Sequence, residues 1–200
     1  MTFVDLRKQL ELELEWREKE VKLLYNLLSR AKDEDDRKAC GKALLVMLYS
    51  HFEGFCNIAF SIYIDILNAE KINGENIKCS QVNKNIAAIF LDEIFKAIKD
   101  PNVNCSFFAG SAPNEKWKHF YRRVYFLTEI NNLFDQPIKL KEEFISTKSN
   151  LKVPILSMIL YHLGFPPDRF NDYTTDISNM VDRRNDYAHL MALLRMMWIG

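Results

Sequence analysis

From Ala43 to Ile64 the chain runs for 22 residues with Glu53 as its only formal charge. A helix of that length and composition can span a bilayer, so its surroundings decide the fold class. Ser50, His51, Glu53 and Asn57 cluster at its middle, and an acid at a bilayer centre costs about 2.5 to 3.5 kcal/mol on insertion scales. We therefore read the stretch as the heart of a core helix running from about Arg37 to Asn68, with no membrane involved. At about 100° per residue, Leu44, Leu48, Phe55, Ile62 and Ile66 form one apolar stripe, and Val46, Tyr49, Cys56, Phe60 and Ile64 form another. Two stripes require two packing partners. One is the rest of the monomer; the other is a second subunit or a further intrachain neighbour.

Other segments follow the helical period as well. Residues 3 to 31 place Leu6, Leu10, Leu14, Val21, Leu24 and Leu28 between Glu, Lys and Arg, which predicts an amphipathic helix ahead of a polar turn at Lys32 to Asp36. Residues 71 to 83 read as a polar loop, and Ile86 to Lys99 as a shorter helix closed by Asp100-Pro101. Asn102 to Asn114 reads as a loop with an extended piece at Cys105 to Ala109. The aromatic-rich Lys116 to Phe134 suits helix or strand, and we assign helix. Ser149 or Asn150 can cap a helix from Leu151 to Leu163, with Gly164 placed for a left-handed C-cap before Pro166-Pro167. Thr174 or Thr175 can cap a last helix from Asp176 to about Trp198. The expectation is an all-α fold in one domain over residues 1–200.

Lys plus Arg and Asp plus Glu both number 27, so no global field draws the chain to nucleic acid or to an anionic membrane. Any RNA contact has to be local. Lys116, Lys118, Arg122 and Arg123 form one candidate patch and Arg183 with Arg184 another, though a solvated helix face explains the first equally well. Cys40, Cys56, Cys79 and Cys105 lack metal-site spacing and are read as free thiols. With no signal-peptide pattern after Met1, this predicts a cytoplasmic protein with neither metal nor cofactor.

Chemistry concentrates in Val181-Asp182-Arg183-Arg184-Asn185-Asp186-Tyr187-Ala188-His189. On the helical wheel Ile177, Met180, Val181, Ala188 and Met191 share a stripe that includes Arg184, so a guanidinium points into protein. Asn185 lies beside it and His189 one turn further on. Buried charge needs a partner. Glu53, alone in its own apolar helix, is the expected partner of Arg184, with Arg122, Arg123 or solvent as the alternatives for that carboxylate. Cleaving RNA without a metal needs a base for the 2′-hydroxyl, an acid for the leaving oxygen and a cation for the phosphorane charge. His189 and Arg184 supply such groups, and a twofold dimer would supply the second histidine. An Arg and a His at this spacing also occur in helices with no catalytic role. His51, His119 and His162 read as structural.

The Arg184 to His189 spacing, with Asn185 after the arginine, resembles the R-x(4-6)-H motif of the HEPN superfamily. Tyr49-Ser50-His51-Phe52-Glu53-Gly54-Phe55 resembles the "aHwEGF" helix of the stand-alone bacterial branch related to cyanobacterial MAE-type proteins, and Ser149-Asn150-Leu151 with Leu163-Gly164 resembles its "sNL…lG" segment. The resemblance implies a bundle of about four to six helices, a homodimer with the motif at its cleft, and metal-independent endoribonuclease activity of the toxin-antitoxin or antiphage type. It carries Arg184 and His189 over as catalytic, with Asn185, Glu53 and Asp186 as supporting polar residues. The implied partners are an RNA substrate such as tRNA or mRNA and an antitoxin protein. The alternative is a noncatalytic module that binds nucleotide, RNA or protein at the same cleft. Leu190 departs from the glycine usual after the histidine, and Met191 stands where another branch has a modified tyrosine.

Overall fold

Asp33 sets the first corner of the chain. Its carboxylate accepts the backbone N–H of Asp35 at 3.0 Å and of Asp36 at 3.3 Å, and Glu34, Asp35 and Asp36 add negative charge to the first turn of the helix that follows. In the computed structural model, which describes the backbone of residues 3–72, 74–98, 115–145, 147 and 150–199, that corner joins α1 (Phe3–Arg30) to α2 (Glu34–Ala69). Leu28 lies against Gly41, Glu20 against His51 and Arg17 against Gly54, so the two helices form an antiparallel hairpin. The expected piece at Cys105 to Ala109, the candidate cap Ser149 and the side chain of His189 lie outside the described residues.

The seam of this hairpin corrects the sequence reading. Leu14 is 44% exposed, and Arg17 takes its place facing α2 at 6% exposure. The guanidinium is accommodated because its Nη1 donates to the Glu13 backbone carbonyl and carboxylate, and its central carbon lies 4.3 Å from the Trp16 ring centre. The Arg17 bond to the carboxylate, together with one from Trp16, holds the Glu13 carboxyl below the usual glutamate range. His51 is structural, as read: its Nε2 lies 3.1 Å from Glu20 and its ring meets Trp16 edge-on at 5.2 Å.

Helix α2 is long and apolar enough to cross a membrane by length and composition. Its polar side chains, however, are tied to other parts of the chain. Asn68 clamps Leu140 through two hydrogen bonds of 3.0 and 2.8 Å, and Tyr49, Glu53 and Asn57 bind the segment from Thr147 to Leu151. The stripe of Cys56, Phe60 and Ile64 packs into the main core with Ile86, Ile89, Leu156 and Ile159. The N-terminal part of α2 is less covered, with Val46 40% and Leu48 36% exposed.

Among the described residues four further α-helices follow: α3 (Lys84–Ile98), α4 (Glu115–Phe134), α5 (Val153–His162) and α6 (Thr174–Ile199). The fold is all-α, as expected. The stretch 71–83 differs from the loop read in sequence, because β1 (Lys71–Ile72) pairs antiparallel with β2 (Glu75–Asn76) around Gly74 at φ +84°. Asn73-Gly74 is the dipeptide that two-residue hairpins favour, a signal the helical pattern overshadowed. A 3-10 turn at Cys79–Gln81 then pairs with the stretch after α4, through Cys79 N–H to Gln136 O and Ile138 N–H to Ile77 O, both 2.9 Å.

Helix α5 starts at Val153, two residues later than expected, with Lys152 at the cap and no side-chain cap bond. Leu151 is withheld from the helix because its N–H donates to the Tyr49 hydroxyl. The C-terminal end is as read. Gly164 adopts φ +81°, Phe165 N–H reaches back to Leu160 O at 2.8 Å, and a Cβ at this position would fall 2.9 Å from the Asn83 side chain. Helix α6 begins two residues earlier than expected, running on from a 3-10 turn at Asn171–Tyr173.

Candidate functional site

Ile177 and Val181 anchor α6. Both are buried in a small cluster with Tyr49 and Val153, with Phe52 and Met180 packed against it. One turn beyond Val181, Arg184 follows the same face and is carried to Tyr49. Its guanidinium carbon lies 3.9 Å from the centre of the Tyr49 ring, a cation–π contact worth about 1 to 2 kcal/mol when partly desolvated. Arg184 is half-buried, as its place in the apolar stripe predicts.

Tyr49 is the hub that sequence reasoning missed. Its hydroxyl accepts the Leu151 N–H at 2.9 Å, and burial pushes the phenol up, while that hydrogen bond and the neighbouring Arg184 pull it down. Glu53 and Asn57 follow Tyr49 at four-residue steps along α2, so the three form one polar edge. Glu53 Oε1 accepts from Thr147 Oγ1 at 2.7 Å, and Asn57 Nδ2 donates to the same hydroxyl at 3.4 Å. Sequence reasoning placed Glu53 directly against Arg184. The hydrogen-bonding partner found for it is Thr147, and Glu53 and Arg184 come together around Tyr49, whose phenol responds to both charges.

The polar edge therefore does two things. It fixes the segment ahead of α5, and it seats the arginine of α6 on an aromatic face. Lys152 reinforces the arrangement through a 2.7 Å ion pair with Asp182. Tyr49→Phe would leave the buried Leu151 N–H without its acceptor, which we expect to lower stability by about 1 to 3 kcal/mol. Urea unfolding of the variant checks this.

Of the remaining candidates, Asn185 is half-buried and Asp186 exposed, and neither makes a hydrogen bond or ion pair among the described residues. Both remain available to a ligand. The backbone of His189 belongs to α6, five residues and about 7.5 Å along the axis from Arg184, with the helix unbroken between them. In the other basic patch Arg123 is exposed and Arg122 half-exposed, while the side chains of Lys116 and Lys118 lie outside the described residues.

No curated protein and no solved structure matches the chain. A protein family does, over residues 12–190, a span that takes in most of the α1–α2 hairpin, the Tyr49 to Asn57 edge and the Arg184 to His189 motif. That match reaches the HEPN superfamily without singling out the cyanobacterial branch that residues 49 to 55 resemble. With an all-α fold and a match over most of its length, the chain belongs to the RiboL-PSP-HEPN family.

Proposed function

We propose that this protein is a metal-independent endoribonuclease whose centre is Arg184 and His189. The observation that carries the reading is the placement of Arg184, half-buried on Tyr49 and in continuous helical register with His189. An arginine held on a ring has little rotamer freedom left to lose when it grips a phosphate. Membership of a HEPN family supports an RNA-cleaving or nucleotide-binding role.

The chemistry runs within the RNA strand. His189 accepts the proton of a 2′-hydroxyl as its oxygen attacks the adjacent phosphorus, and Arg184 stabilises the charge that builds on the phosphorane oxygens. The 5′-oxygen leaves with a proton from His189 of a second copy, giving a 2′,3′-cyclic phosphate end. A homodimer is therefore part of the proposal. The exposed apolar Leu23 and Leu27 on α1 and Val46 and Leu48 on α2 offer it surface. Asn185 and Asp186, uncommitted among the described residues, line the path of the RNA, and Glu53 acts through Thr147 and Tyr49 as a positioning residue.

In the cell this activity fits a cytoplasmic single-domain toxin or antiphage nuclease acting on tRNA or mRNA and restrained by an antitoxin protein. The test is incubation of the purified chain with total RNA and with tRNA in EDTA, followed by analysis of the product ends. Fragments with 2′,3′-cyclic phosphate are the expected result. Intact RNA, with retained binding of RNA or nucleotide, would assign the site to a noncatalytic binding module instead.

A further inference from the structure

Away from α6, a cavity of about 540 Å³ opens between α1, α2 and α5. Leu10, Phe60, Leu156, Leu160 and Phe165 are among the apolar residues of its wall, and its size lies within the range of small-molecule sites. Two polar groups reach it. Arg169 is the one charged lining residue, and Tyr63 contributes a phenol beside Phe165, the ring centres 5.0 Å apart. Neither the Arg169 guanidinium nor the Tyr63 hydroxyl has a hydrogen bond or ion pair among the described residues. Cys56 adds no charge, because burial, aided by the Glu53 carboxylate, pushes its thiol up to about 12.

An apolar cavity with a single uncommitted cation selects the chemistry of its occupant. A peptide would bring backbone N–H and C=O groups that this wall cannot satisfy, whereas an alkyl chain brings none. The guanidinium fork matches a carboxylate through two parallel hydrogen bonds. We propose that the cavity binds a free aliphatic carboxylate, its chain between α1, α2 and α5 and its head on Arg169. The site shares none of Tyr49, Glu53, Arg184 or Asn185, so it stands apart from the proposed nuclease centre.

Calorimetric titration of the full chain with octanoate, decanoate and decanol tests this. Affinity should rise by about fourfold for each added CH₂, and decanoate should bind more tightly than decanol. Arg169→Gln, at an exposed position, should weaken decanoate by about tenfold to a hundredfold and leave decanol unchanged. Arg169→Glu should turn the preference toward decylamine. No binding of decanoate, equal binding of acid and alcohol, indifference to Arg169→Gln, or binding seen only on phospholipid vesicles would each overturn the proposal.

Discussion

Arg184→Ala should lower RNA cleavage by about a hundredfold to a thousandfold, the usual cost of removing one preorganised donor to transition-state charge. The loss should appear in single-turnover rate with saturating enzyme, which separates chemistry from binding. A second readout distinguishes this from unfolding. The side chain stacks on Tyr49 and hydrogen-bonds it without filling core volume, so stability should fall by about 1 to 3 kcal/mol. Arg184→Lys keeps the charge but loses the fork and the planar stacking on Tyr49, and should recover only part of the rate.

Leu156→Ala should produce the largest fall in stability. Leu156 is fully buried at 0% exposure, among Cys56, Phe60, Ile86 and Ile159, where α2, α3 and α5 meet. Trimming its isobutyl side chain to a methyl leaves a cavity that three helices cannot close together, at a cost of about 2 to 5 kcal/mol. For a chain of this size that corresponds to a drop in Tm of roughly 5 to 15 °C. Denaturant and thermal unfolding of the pair check it. A change below about 1 kcal/mol would mean that the core cluster is not packed as described.

The parts of this fold that rest on local patterns were legible in the sequence. The run from Ala43 to Ile64, charged only at Glu53, marked α2 as the central helix, and Gly164 before Pro166-Pro167 marked the end of α5. Arg184 fell inside an apolar stripe on the wheel and is half-buried in the structure. What could not be read depends on partners far apart in the chain. Leu151 finds Tyr49 across 102 positions and Thr147 finds Glu53 across 94, and no periodicity encodes either pairing. Charge also misled. Glu53 needed a buried partner, as expected, but the need was met by the hydroxyl of Thr147. In α1, Leu14 looked like the seam residue, yet the seam drifts with the 3.6-residue turn and brings Arg17 to α2, where Glu13 and Trp16 make its burial tolerable.

Leu190 is the most informative departure from the family pattern, because a bulky side chain there follows the histidine directly on α6. The measurement that bears most directly on the nuclease reading is therefore cleavage of tRNA in EDTA by three proteins side by side: the chain itself, His189→Ala and Leu190→Gly. The expected result is cleavage by the first, at least a hundredfold loss in the second, as follows from removal of a general acid–base group, and activity no lower than the first in the third. Equal cleavage by the chain and His189→Ala, or intact RNA in all three, would contradict it.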